Sequence, residues 1–316
     1  MERPGPPSSS AEPTKRAPAR LVVHTRFAEQ VAELSRRDGE ARRGDPEGVH
    51  KTRVACRRLR GLLAMCRPLV DREVTEPIRA ELRWVTHALG EARDLDVVHD
   101  RLKRLVDGTP HHLVRGPIRK RIGRAVTPQR DAAHARAQEA LSSTRYRALR
   151  DELDRLVAAP PWTDRAEERA KDMLPKRLLK DLKRLRARVR RTQRSTDSDA
   201  HDEAIHAVRR AAKRLRYAAE TLQPTWGEDM APVVQAAKQM SSVLGQRQDA
   251  VVTIPHLLHL AAQAEDAGES SFTYRHLHAE EERSATEISE RLGDLFAAVE
   301  RAVDLSGAST HRPLDT

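Results

Sequence analysis

Two short stretches hold the side chains with the most chemistry to offer. From Val49 the chain reads VHKTRVACRRLR and from Ile205 it reads IHAVRRAAKRLR, so that His50, Arg53, Arg57, Arg58, Leu59 and Arg60 align without a gap with His206, Arg209, Lys213, Arg214, Leu215 and Arg216. Arginine presents a planar fork that meets two phosphate oxygens at once, lysine a compact charge, and histidine a donor whose charge changes near neutral pH. Wound into a helix, His50, Arg53, Arg57 and Arg60 fall within an arc of roughly 80°, with Val49, Ala55, Cys56, Leu59, Leu62, Leu63 and Cys66 opposite. In the second copy His206, Arg209, Lys213 and Arg216 share one face, with Ile205, Val208, Ala211, Ala212, Leu215, Ala219 and Leu222 on the other. Arg58 and Arg214 flank the rows and are placed to meet a neighbouring helix or the edge of a ligand. Each row is about 15 Å long. Cations so spaced repel by a few tenths of a kcal/mol per pair, and a linear polyanion would compensate both rows. The neighbouring cations are expected to lower the pKa of His50 and His206 in the empty protein. A bound polyanion would raise it, so affinity is expected to increase as pH falls toward about 6.

The elements that position these rows are helices. Each row is followed at nearly equal distance by a second match, ALGEARDLDVV from Ala88 and VLGQRQDAVV from Val243, which makes the chain an internal repeat. The expected halves are residues 21–159 and 163–305, joined at Pro160 and Pro161, with tails at 1–20 and 306–316 expected to be disordered. Periodicity in the first half predicts helices near 21–43, 47–69, 73–89, 94–107 and 128–157. Asp45 and Pro46 form a helix-start signal for the first row, and Asp199 is a candidate cap for the second. Asp94 and Asp249, just past a Leu-Gly that reads as a helix end, are expected to cap the next helix or to pair with the Arg rows.

Composition agrees with an all-α reading. Ala, Leu, Arg and Glu dominate, hydrophobic residues make up 38% and aromatics 3%. The 58 Lys and Arg against 47 Asp and Glu give a net charge of +11, which points to a polyanionic partner. Scarce aromatics weigh against single-stranded nucleic acid, whose bases need faces to stack on. On one helix Cys56 and Cys66 would stand about 15 Å apart, too far for a disulfide, and are read as buried thiols of a reducing cytoplasm. No stretch reads as a signal peptide or a membrane span.

Other chemistries are less well supplied. Glu91, Asp94, Asp96 and Asp100 are the nearest approach to a magnesium-holding cluster, and no phosphate-cradling Gly-rich loop or hydrolase triad accompanies them. No enzymatic activity, metal site or cofactor is expected. His256 and His259, one turn apart, with His276 and His278 further on, read as helix packing. A nucleic-acid-binding protein using the same basic surface is the alternative.

The pattern H-x-x-R-x-x-x-[RK]-R-L-R, paired with L-G-x-x-x-D and present twice, resembles the CHAD family, the conserved-histidine α-helical domain. ARDLDVV is similar to the family's R-D-L-D-V signature, and STRYRAL around Tyr146 and LLKDLKRLRARVRR from Leu178 are weaker matches. The resemblance covers about residues 21–304. It implies two four-helix bundles related by a pseudo-twofold axis, with a basic surface or central channel that binds inorganic polyphosphate. Carried over by position, the binding residues would be His50, Arg53, Arg57, Arg58, Arg60, His206, Arg209, Lys213, Arg214 and Arg216. Gln248 stands where the first copy has Arg93, which makes that position less secure as a ligand contact. With no E-x-E-x-K motif of the CYTH triphosphatase often joined to this family, the chain reads as a stand-alone binding module. Storage, targeting to polyphosphate granules and regulation remain open as its role.

Overall fold

A computed structural model describes residues 13–194 and 198–308, with no side-chain description at 198 and 199. Eleven helices follow one another: α1 (Ala19–Arg42), α2 (Pro46–Met65), α3 (Arg72–Ala88), α4 (Gly90–Gly108), α5 (Ile118–Ser142), α6 (Thr144–Ala158), α7 (Ala170–Thr192), α8 (Ser198–Trp226), α9 (Ala231–Asp266), α10 (Phe272–Glu290) and α11 (Leu292–Leu305). Among the described residues there is no strand, only two isolated bridges at Pro18–Arg169 and Val70–Trp162. The protein is all-α.

Local signals explain most boundaries. Asp45 caps α2 by accepting a 2.6 Å hydrogen bond from the Gly48 amide, and Pro46 occupies the first turn, where its missing N–H costs nothing. Asp199 lies in the first turn of α8, and its side chain is outside the described residues. The single helix expected over 128–157 is in fact two. Ser143 is extended and its hydroxyl accepts from the Tyr146 amide, which ends α5 and starts α6, while Pro128 lies inside α5. Periodicity alone reads through a cap of this kind because the apolar spacing continues across it.

The Leu-Gly matches also behave differently from expectation. Leu89-Gly90 separates α3 from α4, but Leu244-Gly245 lies within an unbroken α9; neither Asp94 nor Asp249 caps a helix, and the alternative expected for them, pairing with the Arg rows, is met by Asp94 in its 3.8 Å contact with Arg53. Near the end of α3, the Thr86 carbonyl takes a long 3.4 Å bond from Arg53 Nε, whereas α9 runs 36 residues and contributes to both hydrophobic clusters.

The larger of those clusters runs across the Pro160–Pro161 join, with Leu59 and Leu82 from the first half and Leu178, Leu215 and Val299 from the second. The smaller draws Val98, Leu102 and Ile122 from α4 and α5 and Leu257, Ala264 and Tyr274 from α9 and α10. The halves therefore share their cores. Within this frame α2 packs directly on α8. Gly61 lies at this contact, where a Cβ would stand at an ordinary packing distance of 3.5 Å from the Tyr217 ring.

Candidate polyanion-binding cavity

The apolar sides of α2 and α8 point into the core as their sequence patterns require, with Val49, Cys56, Leu59, Ile205, Val208 and Leu215 at most 2% exposed. Their polar sides meet over a cavity of about 620 Å³. His50, Arg53, Arg57 and Arg60 enter it from α2, and His206, Arg209, Lys213 and Arg214 from α8. Arg79, Arg93 and Arg210 add to the lining, with Asp94 and Asp249 as its two carboxylates. Eight of the ten residues expected at a site are thus brought together.

Arg58 and Arg216 are not among them. They converge from α2 and α8 on Glu220, at 3.3 Å and 2.6 Å, in a separate recess beyond Tyr217. The placement of Arg216 corrects the ladder drawn from periodicity, and the reason lies one turn on: Arg216 has Glu220 at i+4 to capture it, whereas its counterpart Arg60 has Ala64 there. Arg214, expected at the flank, lines the cavity while its Nε donates to Asp181 of α7 at 2.7 Å. Arg79 and Arg210, missed from sequence, are likewise tied to Glu76 and Glu203. Their spacing was legible, but nothing marked them as facing the rows.

What distinguishes the remaining cations is how little neutralises them. Among the described residues no ion pair involves Arg57, Arg60, Arg209 or Lys213, and Arg53 has only a loose 3.8 Å contact to Asp94. Nδ1 of His50 and Nε of Arg209 are buried with no hydrogen-bond partner among the described residues. Buried polar atoms of that kind are costly unless something pairs with them. The electrostatics agree. Burial, with Arg57, Arg209, Arg53 and Arg216 adding repulsion, pushes the Lys213 ammonium down to about 6. His50 and His206 are also lowered, first by burial; Arg93 then acts on His50 and Arg210 on His206. The direction is the one expected, but desolvation is the larger cause. Arg53, Arg60 and Arg209 are depressed for the same reasons, and burial raises Asp249 against the pull of Arg209.

The two copies use their second match alike. The Arg53 guanidinium lies 3.9 Å from where a Cβ on Gly90 would be, and that of Arg209 lies 3.5 Å from the same point on Gly245. Each motif arginine thus packs beside the glycine of a Leu-Gly match at an ordinary contact distance. Gln248 hydrogen-bonds the His206 ring, a neutral contact where Arg93 presents a charge to His50.

Most of the other carboxylates and histidines singled out from sequence are engaged elsewhere. Asp96 is buried against His134 at 2.9 Å, Asp100 accompanies His99, and Glu91 pairs with Arg136. His259 meets Gln263, and His276 and His278 face Glu280 and Glu282. No group of three or more metal-ligating side chains occurs among the described residues. Cys56 and Cys66 are buried, unpaired thiols whose pKa is pushed up to about 12 by burial. No described helix is long and apolar enough to cross a membrane.

Fold and cavity together define a helical protein with a recessed cluster of cations gathered from two like-sequenced helices. The model of the CHAD domain matches residues 25–258, and the chain belongs to the CHAD domain family. Two uncharacterised proteins of Mycobacterium tuberculosis, MT2285 of strain CDC 1551 and Rv2226 of strain H37Rv, are each 34% identical to it over 305 residues, 96% of this chain and 56% of theirs. The chain thus spans about half the length of these curated relatives. Among solved structures, PptA from Streptomyces chartreusis superposes with a TM-score of 0.67 at 21% identity, covering 91% of this chain and all of that one. The CHAD domain from the plant Ricinus communis gives 0.63 at 20% identity, covering 94% and 95%. At such identities the likeness is one of fold.

Proposed function

We propose that this protein binds inorganic polyphosphate in the cavity between α2 and α8, as a binding module and not a catalyst. The observation that carries this reading is the convergence of both motif rows on one recess in which Arg57, Arg60, Arg209 and Lys213 have no carboxylate partner among the described residues. A chain of phosphates supplies one charged acceptor group after another and is slim enough to enter a recess whose arginines are half-buried. Duplex nucleic acid carries its phosphates on a broad outer surface and would reach the rim alone. Granules of the polymer are a destination consistent with such binding.

The test is calorimetric titration with polyphosphate of defined length near physiological salt, beside a variant with Arg53, Arg57, Arg209 and Lys213 all changed to Ala. Binding by the wild type and its loss in a variant that keeps its helical circular dichroism is the expected result. Equal binding by both, or displacement of the polymer by excess duplex DNA, would refute the assignment and favour a generic basic surface.

A further inference from the structure

A larger chamber of about 1170 Å³ adjoins the basic cavity, and Arg53, Arg60, Thr86, Asp94 and Val252 line both spaces. The chamber differs in character from the cavity. Trp84, Leu95 and Val252 give it apolar walls, while His87, Gln129 and His256 offer polar groups and Arg83, Glu91 and Arg136 charged ones. Trp84 is one of only three tryptophans and nine aromatic residues in the chain, and its half-buried ring carries the Arg145 guanidinium at 4.2 Å. A bare phosphate chain has no use for such walls. They match a ligand that is apolar and planar at one end and polyanionic at the other.

We propose, on the reading that the cavity takes phosphates, that the two spaces together bind a nucleoside polyphosphate. Its phosphate tail lies among Arg53, Arg57, Arg60 and Lys213, and its base and sugar lie in the chamber against Trp84, Leu95 and Val252. Arg53 and Arg60, which border both spaces, hold the phosphate nearest the sugar. Size permits this, since the chamber exceeds the volume of most pockets for compact ligands.

ATP and inorganic tripolyphosphate provide the test because they carry the same number of phosphorus atoms and tripolyphosphate carries the greater charge. On charge alone tripolyphosphate would bind at least as tightly. Calorimetry of the whole chain without divalent metal is expected to show ATP binding at least tenfold more tightly than tripolyphosphate. Leu95→Trp, which fills the chamber from a half-buried position on α4 and lies outside the lining of the basic cavity, should bring ATP down to the tripolyphosphate level and leave tripolyphosphate unchanged. Ala80→Trp, from an exposed position on α3 that also lines the chamber alone, tests the same point independently, and the wild-type comparison stands if either variant misfolds. Tripolyphosphate bound at least as tightly as ATP by the wild type would overturn the proposal and leave the polyphosphate reading intact. Failure to bind either ligand or longer polyphosphate would remove both.

Discussion

Arg57 is the residue on which the cavity's electrostatics turn. Burial is the larger cause of the lowered pKa in each case, and to it the charge of Arg57 adds a further lowering of His50, Arg53 and Arg60 along its own helix and of Arg209 and Lys213 across on α8. Arg57→Ala is therefore expected to cost more affinity than removal of any other single cation, on the order of tenfold or more, corresponding to about 1.5–3 kcal/mol for a charge-assisted contact. Titrations of the single-alanine series would show this directly. Lys213 makes a prediction about stability. Its ammonium is lowered to about 6 in the folded protein from an ordinary value of 10.5, so the unfolded chain binds more protons between those limits. The empty protein should lose stability from this group as pH falls from 10.5 toward 6. Lys213→Met should flatten that dependence and raise the stability of the empty protein by roughly 1–2 kcal/mol while weakening polyphosphate binding, which denaturant melts at several pH values would show. Polyanion binding should raise the depressed pKa of His50, His206 and Lys213, so the complex takes up protons and affinity increases on acidification through neutrality. Calorimetry in buffers of different ionisation enthalpy measures that uptake, and a buffer-independent heat would contradict it.

At the scale of elements, α1 and α2 are held unusually close beneath the first histidine. A Cβ on Gly48 would stand 2.6 Å from the Glu40 Cβ and 2.7 Å from the Ala41 amide nitrogen, so Gly48→Ala must move backbone. The expected penalty is about 1–3 kcal/mol, read as a lowered melting temperature and, because His50 lies two residues on, as weaker binding. How much of the site was legible divides at the same scale. The periods of α2 and α8 place their cationic and apolar faces, and Asp45 marks where α2 begins, because those signals are local. That the two faces meet over one cavity depends on α2 crossing α8 at Gly61 and Tyr217, a contact between residues far apart in the chain. The fate of Arg216 was local after all, in its Glu220 at i+4, but helical period alone weighs every cation on an arc equally. Ser143 shows the converse: a cap that was present in the sequence yet masked by apolar spacing on both sides.

For the molecule as a whole, a cavity built from both halves over shared cores means that neither half should bind alone. Separate expression of residues 13–159 and 163–308 is expected to give chains without measurable affinity for polyphosphate, whereas a nicked but associated protein would retain it. Glu220 shows how such a structure withstands its own charge. Arg58 and Arg216 grip this carboxylate from the two motif helices, and Arg26 of α1 donates to its backbone carbonyl at 2.9 Å. Tyr217 borders both this recess and the cavity. Cations on one side of that ring oppose the approach of α2 and α8 and the shared anion on the other side favours it, so attraction and repulsion between the same two helices are kept in separate compartments that Tyr217 borders. Glu220 thereby holds the helix pair together without neutralising the cations of the cavity.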